Sequence, residues 1–477
     1  MKHIIITLLV LLFGATTKAQ QLPERLIVLT DIENEPDDSE STVRLLLYTN
    51  EIDVRGIVAT TSTHMRNRIW PESLHKIISA YGKVRDNLLL HDKRYPTEES
   101  LHAKVKRGQP AYGMAAIGKG KSTEGSQLII DELKASERPL WVTEWGGANT
   151  LAQALFDLKR ECKSEKELEA LVSRLRVYTI SDQDDSGAWM RKNFPTLFYI
   201  VSPGGYGNAT WSGMMAAEKG SNKSLISNQW IAKNIQQGHG PLGACYPDVA
   251  YGIEGDTPSW LALIPNGLNV PEHPEYGGWG GRYKLYIPEY ETLDLNGFTG
   301  GVPIERETRP IWTNAIDSFY TYRAPYNGAA IERSKKKVGG YKATVWRWRK
   351  GVQNDFAARM DWTVKPVQEA NHAPIVKLNH PDILTVKSGE TFTLEAQDSY
   401  DPDGDNLSFL WYNYPEAGTY GEEIFPFGMP NIAHVAVPAP KVKEKTQLHF
   451  IVEVTDKGTP QMTSYKRVIV NVTPPRE

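Results

Sequence analysis

Short apolar runs alternate with amphipathic segments over the first two-thirds of the chain. The apolar runs predict strands at 26–30, 54–60, 139–143, 177–181 and 197–201. Between them, residues 39–50 and 150–161 carry apolar side chains at the spacing of a helix. This alternation predicts an α/β domain with a mostly parallel sheet and helices on both faces. Ligands of such sheets bind beyond the carboxyl ends of the strands, so polar residues that follow strands are the candidates for function.

The pattern changes in the last third of the chain. Residues 343–362 are predicted as a helix that closes the first domain, and 363–374 as a linker. Apolar positions then alternate at period two, as in the segments 391–396, 449–454 and 467–472. Short strands separated by turn residues over about a hundred positions predict an all-β sandwich. We therefore expect two domains, at 20–362 and 375–477.

The first nineteen residues have the order of a secretory signal peptide. Lys2 and His3 precede an apolar run over 4–13, and small residues occupy most of 14–19. The run is shorter than the roughly 20 apolar residues that a bilayer span needs, so a cleaved signal is favoured over a retained anchor. We expect a periplasmic or secreted protein without membrane insertion.

The composition fits a globular protein with a large core and argues against a nucleic-acid partner. Of 477 residues, 40% are hydrophobic and 13 are Trp, while 54 Lys and Arg against 57 Asp and Glu leave a net charge of −3. The chain therefore has no overall basic field for nucleic acid. Cys162 and Cys245 could form a disulfide in an exported protein, and two separate buried thiols fit the sequence equally well.

The stretch after the first predicted strand concentrates negative charge. Five carboxylates fall within eight residues, at Asp31, Glu33, Glu35, Asp37 and Asp38. Their repulsion would be offset best by a hard divalent cation such as Ca²⁺, which prefers oxygen ligands. Such a cation could orient sugar hydroxyls and help to generate a water nucleophile. The alternative is an acidic cap on the N-terminus of the following helix.

Three segments carry a resemblance to a known superfamily. The pattern Asp-x-Glu-x-x-x-Asp-Asp at 31–38 resembles the DxDxxxDD signature of the nucleoside hydrolases. Residues 142–152 are similar to the strand, turn and helix start at which that superfamily supplies a backbone-carbonyl calcium ligand, and 255–261 to the segment with its last metal-binding Asp. The whole chain resembles a bacterial family of exported, nucleoside-hydrolase-like proteins described as cellulose-binding. That family adds a C-terminal immunoglobulin-like domain, and 354–362 is typical of it.

The resemblance implies a set of metal ligands. Asp38 and Asp256 would give carboxylates to Ca²⁺, and Asp31 would support the loop or the metal. Trp145 would lend its carbonyl oxygen, or Glu144 would do so if the alignment is shifted by one residue.

The resemblance also implies roles at the substrate, with one departure from the family pattern. Asp37 would accept a hydrogen bond from a sugar hydroxyl. Glu33 stands where the family has the Asp that activates water, so it is the catalytic candidate. Its extra methylene moves the carboxylate by about 1.5 Å, and a misplacement of about 1 Å can cost roughly a hundredfold in rate. Either the pocket suits a different sugar or catalysis is impaired.

A proton donor for the leaving group is not fixed by the sequence. The candidates are His239, His273, Asp182 and Asp185. Asp182 and Asp185 follow a predicted strand and are also expected to bind substrate, with a polar helix cap as the alternative. Aromatic residues that could stack on a sugar, or belong to the core instead, are Trp211, Tyr276 and Trp279.

One further acidic turn lies in the predicted sandwich, at 399–406. It could bind Ca²⁺ or form a plain Asx turn. Taken together, the sequence favours an exported, Ca²⁺-dependent hydrolase of N- or O-glycosidic bonds that acts on an environmental glycan or glycoside. The main alternative is a carbohydrate-binding protein that keeps the pocket without turnover, and a third is an extracellular nucleosidase.

Overall fold

An eight-stranded sheet forms the centre of the first domain in the computed structural model, which describes residues 22–323 and 332–475. The predicted signal peptide at 1–19 lies outside the described residues. The strands are β1 (Arg25–Thr30), β2 (Asp53–Ala59), β3 (Val105–Arg107), β4 (Leu140–Glu144), β5 (Leu175–Thr179), β6 (Phe198–Val201), β7 (Tyr283–Tyr286) and β8 (Ile311–Asn314).

The sheet is mostly parallel, as the alternation of strands and helices predicted. The strand order is β3-β2-β1-β4-β5-β6-β8-β7, and within this sheet β7 alone runs antiparallel to its neighbour. Central β1 is apolar on both faces because helices cover both. Leu26 and Val28 belong to one hydrophobic cluster, and Ile27 and Leu29 to the other.

Helices flank the sheet on both sides. Within the described residues they are α1 (Pro36–Leu46), α2 (Pro71–His91), α3 (Glu98–Lys104), α4 (Glu124–Ala135), α5 (Asn149–Glu161), α6 (Glu165–Val172), α7 (Ser186–Asn193), α8 (Asn228–Ile231), α9 (Gly240–Gly243), α10 (Pro258–Leu261), α11 (Ala343–Trp346) and α12 (Arg349–Asp361). The single helix predicted over 343–362 is thus two helices. The chain turns at Arg347 and Trp348, whose side chains pack against Tyr414 of the second domain. None of these helices is both long and apolar enough to span a membrane.

The remaining strands form small hairpins and a β-sandwich. They are β9 (Asp317–Phe319), β10 (Tyr322–Arg323), β11 (Glu332–Arg333), β12 (Val338–Gly340), β13 (Ile383–Lys387), β14 (Thr391–Glu395), β15 (Ser408–Asn413), β16 (His434–Pro438), β17 (Thr446–Thr455) and β18 (Thr463–Thr473). The sheets β13-β18-β17-β15 and β14-β16 enclose a separate hydrophobic core. The all-β character predicted for the C-terminal region is therefore confirmed.

The two domains share a hydrophobic cluster. Tyr465 of β18 packs edge-on against Trp279, with ring centroids 6.2 Å apart, and against Trp348, at 5.8 Å. The backbone N–H of Tyr465 also donates to the carbonyl of Asn266 at 3.1 Å. The sandwich therefore packs against the first domain through side-chain and backbone contacts.

Both cysteines are free thiols. Cys162 follows α5 and packs at the edge of one hydrophobic cluster of the first domain, and Cys245 packs at the edge of the other. The two thiols are thus separate, as in the second of the two alternatives, but both are only partly buried.

Candidate metal and substrate site

The acidic loop connects β1 to α1 at the carboxyl edge of the sheet. The N–H of Asn34 donates to the carbonyl of Asp31 at 3.0 Å, and this turn leads into Pro36 at the start of α1. Proline suits that position because its missing N–H would have no helical partner. Asp37 and Asp38 therefore lie in the first turn of the helix.

Three carboxylates from distant parts of the sequence meet here. Oxygen atoms of Asp37, Asp38 and Asp256 all lie within 4.8 Å of one another. Asp256 comes from the turn that begins α10, and both it and Asp38 are buried. The structure thus brings together Asp38 and Asp256, as expected for metal ligands, and adds Asp37, which the resemblance implied as a sugar-binding residue.

The electrostatics of this acidic cluster are unfavourable without a counter-charge. Burial, followed by the charges of neighbouring carboxylates, raises the pKa of Asp37, Asp38 and Asp256 well above the ordinary value of 3.8. Burial also raises the pKa of Asp31 to about 7. The structure therefore confines several acidic groups where ionisation of all of them is costly.

The donor set fits a hard cation. Among the described residues, the buried Oδ2 atoms of Asp31 and Asp256 have no hydrogen-bond partner. Buried polar atoms are rarely left without a partner, so the unpaired state of these two oxygens indicates a missing partner. A bound cation would be such a partner. Carboxylate oxygens alone, without thiol or imidazole, suit Ca²⁺ or Mg²⁺ better than a soft transition metal.

Close packing around the cluster explains two glycines. A Cβ on Gly146 would lie 2.6 Å from Oδ1 of Asp31, and one on Gly255 would lie 2.9 Å from both Oδ2 of Asp37 and the Trp211 ring. A side chain at either position would displace a carboxylate. Glycine at these two positions therefore lets the backbone come close to the carboxylates.

Trp145 ties the strand β4 loop to the segment that carries Asp256. Its indole N–H donates to Oγ of Ser259 at 3.0 Å, and that hydroxyl donates to the carbonyl of Asp256 at 2.7 Å. The carbonyl of Trp145, implied as a metal ligand, accepts a hydrogen bond of 2.6 Å from Nε2 of Gln183. A carbonyl has two lone pairs, so one is still available. The fallback residue Glu144 is buried and hydrogen-bonded to Thr179.

A pocket of about 650 Å³ adjoins the cluster and shares Asp37 with it. Glu35 and Asp37 give it a carboxylate side. Small residues, Met215 and Lys342 also line it. Its ring-bearing side chains come from loops that follow different strands: His64, Tyr206, Trp211, Tyr251 and Phe298. A cavity with a few polar groups and aromatic walls is typical of a small-molecule or sugar site.

The aromatic wall is itself a packed unit. The rings of Tyr206 and Phe298 meet edge-on at 5.5 Å, and His64 stacks on Phe298 at 5.9 Å. Trp211 is fixed by a hydrogen bond of 2.9 Å from its indole N–H to Ser181. Burial lowers the pKa of His64, which favours a neutral imidazole.

Glu33 is not part of this arrangement. Its backbone adopts a left-handed φ of 77°, and its exposed carboxylate accepts a hydrogen bond from Ser73 at the start of α2. Glu35 lines the pocket instead. The position of Glu33 therefore does not support the expectation that it activates water, because its carboxylate lies at the surface beside α2.

Asp182 and Asp185 are engaged elsewhere. Asp182 forms an ion pair with Arg191 at 2.7 Å, and Asp185 accepts a hydrogen bond of 2.7 Å from the N–H of Met114. Between them, Asp184 accepts the backbone N–H of Ser186, the first residue of α7, whereas the N-cap residue Asp185 makes no side-chain capping bond. Neither predicted substrate residue lines the large pocket.

Trp279 does not have the position expected of a sugar-stacking residue. It is 1% exposed and packs between the domains against Tyr465. The prediction that Trp279 binds substrate is corrected on this ground, since its ring has no free face. Tyr276 likewise lies at the interface, beside His449, whereas Trp211 does reach the pocket.

The two histidines considered as proton donors are also distant from the pocket lining. His239 pairs with Asp361 at 3.1 Å, and His273 pairs with Glu275 at 2.8 Å on the surface. In the acidic turn at 399–406, Oδ1 of Asp401 accepts the N–H of Asp403 at 2.9 Å. The Asx turn that the sequence offered as one alternative is thus present, and the buried Oδ2 of the same Asp401 has no hydrogen-bond partner among the described residues.

Sequence reasoning missed several residues that line the pocket: Glu35, His64, Tyr206, Tyr251 and Phe298. His64 had a usable signal, because it ends the polar run Thr60 to Thr63 directly after β2. Polar residues after a strand of a parallel sheet lie at the ligand edge. The three tyrosine and phenylalanine residues lie in loops, where no periodic pattern distinguishes them.

Comparison with known proteins agrees with this architecture. A family model described as "Cellulose-binding Sde182, nucleoside hydrolase-like domain" matches residues 25–283, and one described as "Cellulose-binding protein Sde0182, C-terminal domain" matches residues 391–472. No curated protein matches the chain.

One solved structure shares substantial sequence identity with this chain over most of its length. A nucleoside hydrolase-related hypothetical protein from Saccharophagus degradans, associated with carbohydrate metabolism, is 32% identical, with a TM-score of 0.77 over 94% of this chain and 100% of that one. An inosine-uridine preferring nucleoside hydrolase from Bacillus anthracis is 12% identical, with a TM-score of 0.39 over 72% of this chain and 100% of that one. The two family models and the 32% identical structure confirm the fold and family expected from the three motifs. The chain belongs to the Sde182 family, which combines a nucleoside hydrolase-like domain with its own C-terminal domain.

Proposed function

We propose that this protein is an exported, Ca²⁺-dependent hydrolase that cleaves a glycosidic bond in an environmental glycan or glycoside. The observation that carries the proposal is the double position of Asp37. Its carboxylate belongs to the acidic cluster with Asp38 and Asp256, and it also lines the aromatic pocket. A ligand in the pocket would therefore lie against the same group that helps to hold the cation.

The chain's own residues have separable roles in this mechanism. Asp38 and Asp256 would hold the cation, with Asp31 beside them, and Ca²⁺ when bound would supply a Lewis acid next to a water molecule. Asp37 and Glu35 would accept hydrogen bonds from sugar hydroxyls. Their negative charge would stabilise the oxocarbenium-like transition state of glycosyl transfer. The aromatic wall would exclude bulk water from the reacting bond.

A carbohydrate is favoured over other ligands by the chemistry of the pocket. Sugar rings have apolar faces that pack on aromatic side chains and hydroxyls that bind carboxylates, and this pocket offers both. The matching families are described as cellulose-binding, which points in the same direction. The signal-like order of residues 1–19 supports a location outside the cytoplasm, where glycans are available.

A second function, carbohydrate binding without turnover, is favoured by one specific observation. Glu33, the counterpart of the family's water-activating Asp in the resemblance, lies outside the pocket. A site that keeps its cation and aromatic wall but lacks a positioned base would bind a sugar without cleaving it.

Product release by the mature protein decides between these functions. The panel would contain nucleosides, aryl glycosides and cell-wall oligosaccharides, each with Ca²⁺ and with a chelator. Asp38→Asn is the test variant because Asn can still accept the hydrogen bond from Thr30. Glycoside turnover that disappears with chelator and in Asp38→Asn would support the hydrolase. Saturable glycan binding without any product would support the binding protein, and release of a free nucleobase would indicate a nucleosidase instead.

A further inference from the structure

A buried arginine of the sandwich makes its main polar contacts with the first domain. Arg467 on β18 is 6% exposed, and its guanidinium donates to the carbonyl of Leu268 at 3.0 Å and to the carbonyl of Gly277 at 2.7 Å. Its backbone N–H donates to the carbonyl of Gly267 at 3.1 Å. One residue of the second domain therefore holds both ends of the loop 267–277.

The guanidinium has no carboxylate partner within the part of the chain that the structure describes. Besides the two carbonyls it contacts Nδ1 of His449 at 3.1 Å and lies over the rings of Tyr276 and Tyr414. A buried charge is retained at a cost and needs its hydrogen bonds to be tolerated. The hydrogen bonds to the two loop carbonyls are therefore what stabilises this buried guanidinium.

Asn269, the residue after Leu268, connects this loop to α10 through hydrogen bonds. The side-chain amide of Asn269 donates to the carbonyls of Leu261 and Ile264 at 2.8 and 2.9 Å, and its oxygen accepts the N–H of Trp279 at 2.9 Å. Leu261 is the last residue of α10. Asn269 therefore joins the arginine-bound loop to the end of that helix.

The start of α10 is the segment of Asp256. The carbonyl of Asp256 accepts both the N–H of Ser259, at 3.0 Å, and its hydroxyl, at 2.7 Å. With only one turn between them, the two ends of α10 cannot move independently. A continuous path of hydrogen bonds and one helical turn thus runs from Arg467 to Asp256.

We infer that Arg467 is a positioning residue for Asp256, so that the C-terminal domain completes the acidic cluster of the first domain. The consequence for Ca²⁺ rests on the proposed function, whereas the bracing of α10 does not. Groups that orient a metal ligand from outside the coordination shell typically change metal affinity by about 10–100-fold when they are removed. The sandwich would then contribute to the site without touching ligand or cation.

The experiment compares four full-length proteins: the wild type, Arg467→Met, Arg467→Lys and Tyr414→Phe. Arg467→Met removes the donors, and Arg467→Lys restores the charge with donors on a single nitrogen. Tyr414→Phe is the matched control, because it keeps the ring beneath Arg467 and deletes only a buried interface hydrogen bond, 2.7 Å to Asp317, that is not one of the bonds of the path. The first readout is amide hydrogen exchange over 257–264 in the metal-free protein, and the second is the Ca²⁺ dissociation constant by calorimetry.

Arg467→Met should accelerate exchange over 257–264 and weaken Ca²⁺ binding by about tenfold or more, while the variant stays folded by near-ultraviolet circular dichroism. Arg467→Lys should recover part of both effects, and Tyr414→Phe should show neither. Unchanged exchange in folded Arg467→Met, or equal effects in Tyr414→Phe, would overturn the inference. If the wild type binds no Ca²⁺, the proposed metal site fails, and the exchange data alone still decide whether Arg467 braces Asp256.

Discussion

Arg44 and Glu254 form an ion pair of 2.5 Å in which neither side chain is exposed. Arg44 belongs to α1, the helix that begins with Asp37 and Asp38, and Glu254 lies two residues before Asp256. The pair therefore fixes the two halves of the acidic cluster against each other.

Breaking this pair should destabilise the whole protein. In Arg44→Met, the carboxylate of Glu254 loses its counter-charge in a buried position, and such losses typically cost about 3–5 kcal/mol. The free energy of unfolding from urea titration measures the effect. Arg55→Met is the control, because Arg55 is more exposed and its pair with Glu132 should contribute no more than about 1 kcal/mol. Similar losses in both variants would contradict the special role of the buried pair.

A variant that lacks one carboxylate of the cluster should be more stable than the wild type without Ca²⁺ and less stable than the wild type with Ca²⁺. Without metal, Asp256→Asn relieves repulsion and should raise the free energy of unfolding by about 0.5–2 kcal/mol. The wild type should gain about 2.7 kcal/mol at a Ca²⁺ concentration one hundred times the dissociation constant, and the variant should gain far less. Thermal unfolding with chelator and with Ca²⁺ measures both, with the surface variant Glu33→Gln as control. An equal Ca²⁺ gain in Asp256→Asn would refute the metal assignment.

The two glutamates of the acidic loop, Glu33 and Glu35, should differ in their effect on ligand binding. Glu35 lines the pocket, whereas Glu33 pairs with Ser73 at the surface. Glu35→Gln should therefore weaken binding of a glycan ligand more than Glu33→Gln. Isothermal titration of both variants, with a ligand found in the product-release panel, tests this order. The reverse order would restore Glu33 as the functional residue.

The exposed ring at the mouth of the pocket should contribute affinity without contributing much stability. Phe298 is 69% exposed, so truncation removes little buried surface. If the ring packs on a sugar, Phe298→Ala should cost about 0.5–1.5 kcal/mol of binding free energy, which corresponds to about two- to tenfold in affinity. Affinity electrophoresis on soluble glycans, with urea unfolding as the stability control, measures this. Unaltered migration would show that ligand does not reach Phe298.

The domain interface should be sensitive to acid. Burial, followed by the charge of Arg467, lowers the pKa of His449 from 6.5 to about 3 in the folded protein. Between these two values the unfolded chain binds a proton that the folded chain does not, so this contribution to stability is lost as the pH falls from about 6.5 towards 3. His449→Gln should flatten the dependence, by up to a few kcal/mol, in urea unfolding at pH 7.5 and 4.5. The exposed His434→Gln should leave the slope as in the wild type, and no change in His449→Gln would exclude His449 as its source.

The fold was predictable where burial imposes a simple pattern. β1 is apolar on both faces and was found directly, and so was the period-two pattern of β17 and β18. β3 has three residues, and β7 exposes Lys284, Leu285 and Tyr286, so neither carries a pattern that stands out from a loop. The start of α1 lies at Pro36, before the predicted Ser39, because acidic residues occupy its first turn.

The sequence predicted which segments of the chain form the site. It did not predict which of their side chains line the pocket. The motif residues Asp37, Asp38 and Asp256 do meet. That Glu35 lines the pocket whereas Glu33 lies at the surface could not be predicted, since it depends on the left-handed backbone at Glu33. The sequence likewise could not distinguish an exposed Trp279 from one covered by another domain.

The shared hydrophobic cluster has a consequence for how the chain matures. Trp279 and Trp348 of the first domain are covered by Tyr465 on β18, the last strand of the described chain. During synthesis these indoles emerge from the ribosome more than a hundred residues before the strand that covers them. A nascent chain would therefore carry exposed tryptophans and an open interface until its final strand is made. The interface between the two domains can therefore close only after β18 has been synthesised.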